Sequence, residues 1–335
     1  MHISVVVPVH NGANHIGTCL QALSHQSAPE STYEVIVVDD GSTDDTAQIV
    51  HRYPVRLLAQ HRQGAAAARN RGLSAAQGDL VLFTDADCEP APDWIEQICA
   101  SFEDPQVSGV KGAYRTRQKS LVARFVQLEY EDKYRRMAQD QYIDFIDTYS
   151  AGYRRDVLHE AGGFDTSFPT ASVEDQELSF RLAKAGHRLV FQPLAIVYHQ
   201  HANTVAAYAR KKFRIGYWKV LVHVRHPDKL VRDSHTPQIL KLQILLLPLL
   251  VASAVLALLW SSVWWVPVSI AALLFASMVS FGLQVWRTDP LLAFIVPWLL
   301  LVRAVSLGTG FAMGMVVQMV TRLLRKRLPL GERGA

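Results

Sequence analysis

Tyr33-Glu34-Val35-Ile36-Val37-Val38-Asp39-Asp40-Gly41-Ser42 is the stretch whose reading decides the fold. Its core is an unbroken β-branched run, the pattern of a strand buried on both faces of a parallel sheet. The run stops at two carboxylates and a turn-forming glycine. Working outward, Ile3-Ser4-Val5-Val6-Val7-Pro8 repeats the pattern upstream. Val55 to Ala59 predicts a short strand, and Leu80 to Thr84 a further one, ending at Asp85-Ala86-Asp87. Between them, Asn14 to His25 has helical spacing, with Ile16, Leu20 and Leu23 on one side. Ser42-Thr43-Asp44-Asp45 offers caps for a helix through Ile49. Gly64 to Ala76 is alanine-rich and reads as helix. Strands alternating with helices predict an α/β fold with right-handed crossovers and a mostly parallel sheet.

The chain has 335 residues, half of them hydrophobic but unevenly placed. From Ile244 to Trp286 there is no charged residue, about twice the ~20 residues that cross a bilayer core. Two spans are expected there, broken near Ser261-Ser262, with Trp260, Trp264 and Trp265 as an interfacial belt. Met1-His2-Ile3-Ser4 lacks a positive n-region and a cleavage site, so no signal peptide is expected. Three cysteines, Cys19, Cys88 and Cys99, show no paired spacing and suit a reducing compartment. The net charge is +4, and its basic residues crowd two places. Arg210, Lys211, Lys212, Arg214, Lys219, Arg225, Lys229 and Arg232 precede the first span; Arg322, Arg325, Lys326 and Arg327 follow the last apolar segment. Both clusters fit the positive-inside rule and attraction to anionic membrane lipids, and no nucleic-acid motif is present.

Carboxylates at strand ends face the crevice where open α/β sheets bind ligands. Asp85 and Asp87 lie on one side of an extended backbone, where both reach one ion or one ribose. Beside an anionic nucleotide diphosphate, such a cluster makes sense with a divalent cation between them. Gly64-Ala65-Ala66-Ala67-Ala68-Arg69 suits close approach by a ligand, with arginine for phosphate. A third acidic cluster, Glu174-Asp175-Gln176-Glu177, fits a helix start, where carboxylates complement the dipole, and also a catalytic base.

Taken in order, several stretches resemble the family-2 glycosyltransferases, which have the GT-A fold. They are Val7-Pro8-Val9-His10-Asn11, Val38-Asp39-Asp40-Gly41-Ser42-Thr43-Asp44, Ala68-Arg69-Asn70-Arg71-Gly72, Thr84-Asp85-Ala86-Asp87, Gly162-Gly163-Phe164-Asp165 and Glu174-Asp175. The resemblance covers residues 1 to about 200 and implies nucleotide-sugar contacts at Pro8, Val9, Asn11, Asp39, Asp40, Arg69, Asp85 and Asp87. Pro8 with Asp39 or Asp40 would line the base. Arg69 would sit near the base or diphosphate, and Asp85 near the ribose or sugar. Asp87 would bind Mg²⁺ or Mn²⁺, with Asp85 a further possible ligand. His199, at the end of a late strand, would complete the metal site, with His201 the nearby alternative. Asp175 matches the catalytic base, and Glu174 would orient the acceptor or bond nearby backbone. In-line displacement would invert the anomeric configuration. The Gln-x-x-Arg-Trp motif of processive synthases is absent, and the Glu-Asp pair departs from polyprenyl-phosphate sugar synthases.

The expected organisation is a GT-A catalytic domain over 1–202, a basic amphipathic interfacial junction over 203–238, a transmembrane region over 239–321 and a basic tail over 322–335. Spans are placed at about 240–260, 264–286 and 291–320. The last, interrupted by Pro297, Arg303 and Gly308-Thr309-Gly310, is read as broken or re-entrant. Gly310-x-x-x-Gly314 would permit close helix packing. Thr204 to His223 reads as an interfacial helix, and Arg232 and His235 would meet a lipid phosphate. The whole predicts a multi-pass protein of the cytoplasmic (inner) membrane, its catalytic domain in the cytoplasm. Its expected partners are a nucleotide-diphosphate sugar, with a UDP-sugar foremost, and a lipid-linked acceptor. The alternatives are a polyprenyl-phosphate sugar synthase, a processive polysaccharide synthase, or an inactive nucleotide-sugar-binding subunit.

Overall fold

The computed structural model describes residues 2–168, 173–230, 233–234 and 236–327. They form two compact units. The first runs to His201 and also takes in Asp233 and Ser234, the latter exchanging hydrogen bonds with Asp144. The second holds the rest.

In chain order the first unit contains β1 (Ile3–Val9), α1 (Ile16–Ser24), β2 (Tyr33–Asp40), α2 (Thr46–Val50), β3 (Arg56–Gln60) and α3 (Ala65–Ala75). There follow β4 (Leu80–Phe83), β5 (Cys88–Pro90), α4 (Trp94–Ala100), β6 (Val107–Arg115) and α5 (Leu121–Met137). β7 (Ala151–Arg154), α6 (Arg155–Glu160), α7 (Glu174–Lys184) and β8 (Arg188–His199) complete it. One eight-stranded sheet runs β3-β2-β1-β4-β7-β6-β8-β5. The β3-β2-β1-β4 half is parallel, as expected from its continuous apolar runs. Val5, Val6 and Val7 on β1 are wholly buried, because helices cover both faces of this half. β7 enters antiparallel between β4 and β6, and β5 pairs antiparallel with β8. These reversals have no signature in the hydrophobic pattern.

Parallel pairing puts the C-terminal ends of β1, β2 and β4 side by side. Asn11, Asp39–Asp40 and Asp85–Asp87 therefore converge at one sheet edge. The turn after β2 differs from its expected role. The Ser42 hydroxyl accepts from Asn11 N–H (2.9 Å), and Thr43 N–H donates to the Asn11 side chain (2.8 Å). Ser42 and Thr43 thus stitch the β1 and β2 loops together instead of capping α2, while Asp44 accepts from Thr46 N–H at 3.1 Å. Asn11 takes a left-handed φ of +51° to make these bonds.

The second unit contains α8 (Val205–Arg225), α9 (Gln238–Leu259), α10 (Trp265–Thr288), α11 (Pro290–Ala293) and α12 (Val296–Arg327). Three segments, Gln238–Leu259, Ser261–Thr288 and Val296–Thr321, are long and apolar enough to cross a membrane. They expose Leu245, Leu258, Val268, Phe275, Leu283 and Val316, a surface fit for lipid rather than water. The third apolar stretch is interrupted at Phe294-Ile295, and from Val296 it is one helix. Pro297 lies in its first turn, where no backbone N–H is required. Gly310 and Gly314 do not break it. A Cβ at either would collide with the α8 backbone at Phe213 or Tyr217, so these glycines let α8 and α12 touch. Buried Arg303 of α12 donates to Gln243 of α9 (3.1 Å), which donates to Ser277 of α10 (3.1 Å). Among the described residues, Arg232, His235 and 328–335 do not appear, so the lipid-phosphate expectation lies outside them.

Candidate active site

A cavity of about 380 Å³ opens at the sheet edge. Pro8, Val9 and Asn11 form one wall, Ala65, Ala68 and Arg69 another, and Asp40, Asp85 and Asp87 the carboxylate rim. Seven of the eight expected nucleotide-sugar residues therefore lie together around one cavity; Asp39 does not line it. The Asp39 carboxylate accepts from Ser42 N–H at 2.9 Å and holds the turn. Asp40 serves the opposite loop. Its carboxylate accepts from Gln60 Nε2 (2.7 Å), Gln63 N–H (2.8 Å) and Gly64 N–H (2.8 Å). Gly64 takes a φ of +96°, open to glycine, and the small side chains of Ala65 and Ala68 follow it along the cavity.

Arg69 is 2% exposed and makes two ion pairs, to Glu174 (2.7 Å) and to Asp85 (3.0 Å). Burial pulls its pKa down, but Asp85, Glu174 and Asp175 more than reverse that, so it stays cationic. It connects the cavity rim to the start of α7 across 105 residues of sequence. Glu174 is buried and forms a counter-charge for Arg69. Asn70, the next residue, exchanges two 2.8 Å bonds with the Phe164 backbone, which explains the Gly162-Gly163-Phe164 motif beside α3. Arg181 of α7 donates to the Gly163 carbonyl at 2.8 Å, fixing the same loop from the other side.

Asp175 follows Glu174 in the first turn of α7. Burial pushes its carboxyl well above the usual carboxylate range; Glu174 and Asp147 push the same way, against Arg69. A carboxylate so raised holds a proton more readily than a free one, as a general base must. Asp147 belongs to a group that sequence reasoning missed. Lys111 on β6 is buried, ion-paired to Asp147 and bonded to Tyr149 Oη at 3.1 Å. A lone lysine in the apolar run Val107-Ser108-Gly109-Val110-Lys111-Gly112-Ala113 was its only signal.

Asp87 and His199 meet. Asp87 Oδ1 lies 3.4 Å from His199 Nδ1, although 112 positions separate them in the chain. The Tyr114 ring stacks on the imidazole, with centroids 4.8 Å apart and planes at 17°. His201 packs edge-on against His199, with ring centroids 5.5 Å apart, but its Nε2 bonds Gln127 at 3.1 Å and its ring stacks on Tyr130. A third donor accompanies Asp87 and His199, the Cys88 thiol, which sequence reasoning treated only as a redox marker. Burial, then Asp87 and Asp85, keep that thiol protonated in the metal-free protein. A carboxylate, an imidazole and a thiol within 4.8 Å of one another fit a divalent cation.

Residues 4–162 match the model of glycosyl transferase family 2. The chain is 30% identical over 230 residues to the glycosyltransferase AglE of Haloferax volcanii, covering 66% of this chain and 73% of that protein. It is 31% identical over 237 residues to the pre-mycofactocin glycosyltransferase of Mycobacterium tuberculosis, covering 68% of this chain but only 48% of that longer protein. In fold it is similar to the mannosyltransferase PcManGT from Pyrobaculum calidifontis, solved with GDP-Man and Mn²⁺. The TM-score is 0.61, with 23% identity, over 94% of this chain and 87% of that one. A GT-A sheet with the cavity at its carboxylate edge, and a relative matched over most of its length, place the chain in glycosyl transferase family 2.

Proposed function

We propose that the chain moves a sugar from a nucleotide-diphosphate sugar to a hydroxyl of a lipid-linked acceptor, with a divalent cation, and with inversion at the anomeric carbon. The observation that carries this reading is the continuity of the site. The cavity rim at Asp85 joins Arg69, Arg69 joins Glu174, and Asp175 follows it. Donor pocket and base are thus built as one charged network. Pro8, Val9, Ala65 and Ala68 give an apolar seat for a base, and Asp85 offers an acceptor for ribose or sugar hydroxyls. Asp87 and His199 would hold Mg²⁺ or Mn²⁺, which stabilises the diphosphate as it leaves. Asp175 takes the acceptor proton, and Arg69 holds the neighbouring carboxylates in place. Mn²⁺ and GDP-Man bound to the structurally similar mannosyltransferase support the donor class and the metal, while a UDP-sugar remains our expected donor.

Three helices able to cross a membrane support an acceptor that is itself in the membrane. We place the catalytic unit on the cytoplasmic face of the inner membrane. The test is to incubate the purified chain with Mg²⁺ or Mn²⁺, a panel of nucleotide sugars and either a lipid extract or soluble acceptors. Release of one nucleotide diphosphate that depends on the lipid extract supports the reading; equal use of soluble acceptors contradicts the lipid assignment.

A further inference from the structure

We propose that Cys88 is the third protein donor to the divalent cation, making the site selective for borderline cations such as Mn²⁺, Co²⁺ and Zn²⁺ over Mg²⁺. The inference rests on the metal-dependent reading above. It starts from strand register: Cys88 on β5 is the cross-strand partner of His199 on β8. Directly opposed residues in an antiparallel pair project to the same face of the sheet. Cys88 Sγ accordingly lies 3.7 Å from His199 Nδ1 and 3.9 Å from Asp87 Oδ1. With the 3.4 Å separation of His199 Nδ1 and Asp87 Oδ1, the same three atoms close a triangle.

Metal–ligand bonds of about 2.0 Å to N and O and about 2.3 Å to S, in tetrahedral array, put ligand atoms about 3.3 to 3.6 Å apart. The observed triangle is wider than that by only a few tenths of an ångström. Chain adjacency puts Cys88 beside Asp87, and the β5–β8 register adds the imidazole nitrogen of His199 to the pair. The burial is graded as well. Cys88 is 2% exposed and His199 8%, while Asp87 is exposed and lines the cavity. The side left open for a substrate oxygen is therefore the cavity side. Tyr114, stacked on His199, holds the ring at its present angle.

Mg²⁺ prefers an octahedral oxygen set, whereas borderline cations accept nitrogen and sulfur. When the cation binds, it takes the place of the Sγ proton, which passes to solvent; no oxidation state changes. The test uses the full-length protein in detergent, titrated with Co²⁺ alone and read by absorption spectroscopy. We expect visible d–d bands together with a near-ultraviolet thiolate-to-cobalt charge-transfer band. Cys88→Ser should retain the d–d bands, lose the charge-transfer band, and lower the preference for Zn²⁺ over Mg²⁺ by about tenfold or more. Cys19→Ser should keep all three, and each variant's thermal unfolding confirms that it is folded. Cobalt binding without a thiolate band in the wild-type chain overturns the role of Cys88 and leaves the Asp87–His199 site standing. A band that survives Cys88→Ser and disappears in Cys19→Ser overturns it equally. Failure of Co²⁺ to bind with or without nucleotide diphosphate overturns both readings.

Discussion

At the scale of single residues, charge compensation organises the site. Arg69 is buried between Glu174 and Asp85, so removing one partner leaves a charge under-compensated away from water. Glu174→Leu should cost about 3 kcal/mol of stability, read as a fall in unfolding temperature. An unchanged unfolding curve would show that the pair is replaceable. As the proposed base, Asp175 would act when deprotonated, and its pKa is raised, chiefly by burial. The acid limb of kcat/KM should therefore lie above the ordinary carboxylate value of about 3.9, with activity lost as pH falls through it. Asp147 contributes to raising that pKa, so Asp147→Asn should move the limb to lower pH. A limb that stays in place would separate Asp147 from the base. Asp87→Ala should abolish the metal-dependent gain in nucleotide-diphosphate affinity measured by calorimetry, and His199→Ala should weaken it. If only His201→Ala weakens it, the metal histidine is misassigned.

At the scale of elements, the legible features were those with a local pattern. The apolar β-branched runs of β1, β2 and β4 located the sheet, and their parallel order placed the Asn11 loop and two acidic turns, Asp39–Asp40 and Asp85–Asp87, at one edge. The histidine ending β8 was recognisable from its strand. What stayed hidden depends on pairings between distant segments. The opposition of Cys88 and His199 follows from the register of β5 on β8, and Lys111 with Asp147 from the insertion of β7 beside β6. The Ser42-Thr43 caps misled because a hydroxyl next to a helix start bonds equally well to a neighbouring loop. Gly310-x-x-x-Gly314 was read correctly as a packing device, although its partner proves to be α8. Gly310→Leu should therefore force α8 from α12 and cost about 1–3 kcal/mol. Faster limited proteolysis within 205–225 would report it, and an unchanged cleavage rate would argue that the contact is loose.

At the scale of the whole molecule, a catalytic unit and an apolar helical unit share one chain. Residues 1–201 alone should bind donor yet fail to glycosylate acceptor in a membrane extract, whereas full activity there would reduce the helices to an anchor. High salt should weaken acceptor use more than donor binding, since exposed basic residues such as Arg210 and Lys211 are screened within about 10 Å at 0.1 M. Both expectations depend on the central claim, that Asp175 is the base of a nucleotide-sugar transfer. Asp175→Asn keeps the side-chain volume and removes the proton acceptor. The deciding measurement is nucleotide-diphosphate release by wild type and Asp175→Asn with metal, donor and lipid acceptor, alongside donor affinity. Release should fall about 10²–10⁴-fold while donor affinity stays nearly intact. Near-normal turnover in Asp175→Asn would contradict it.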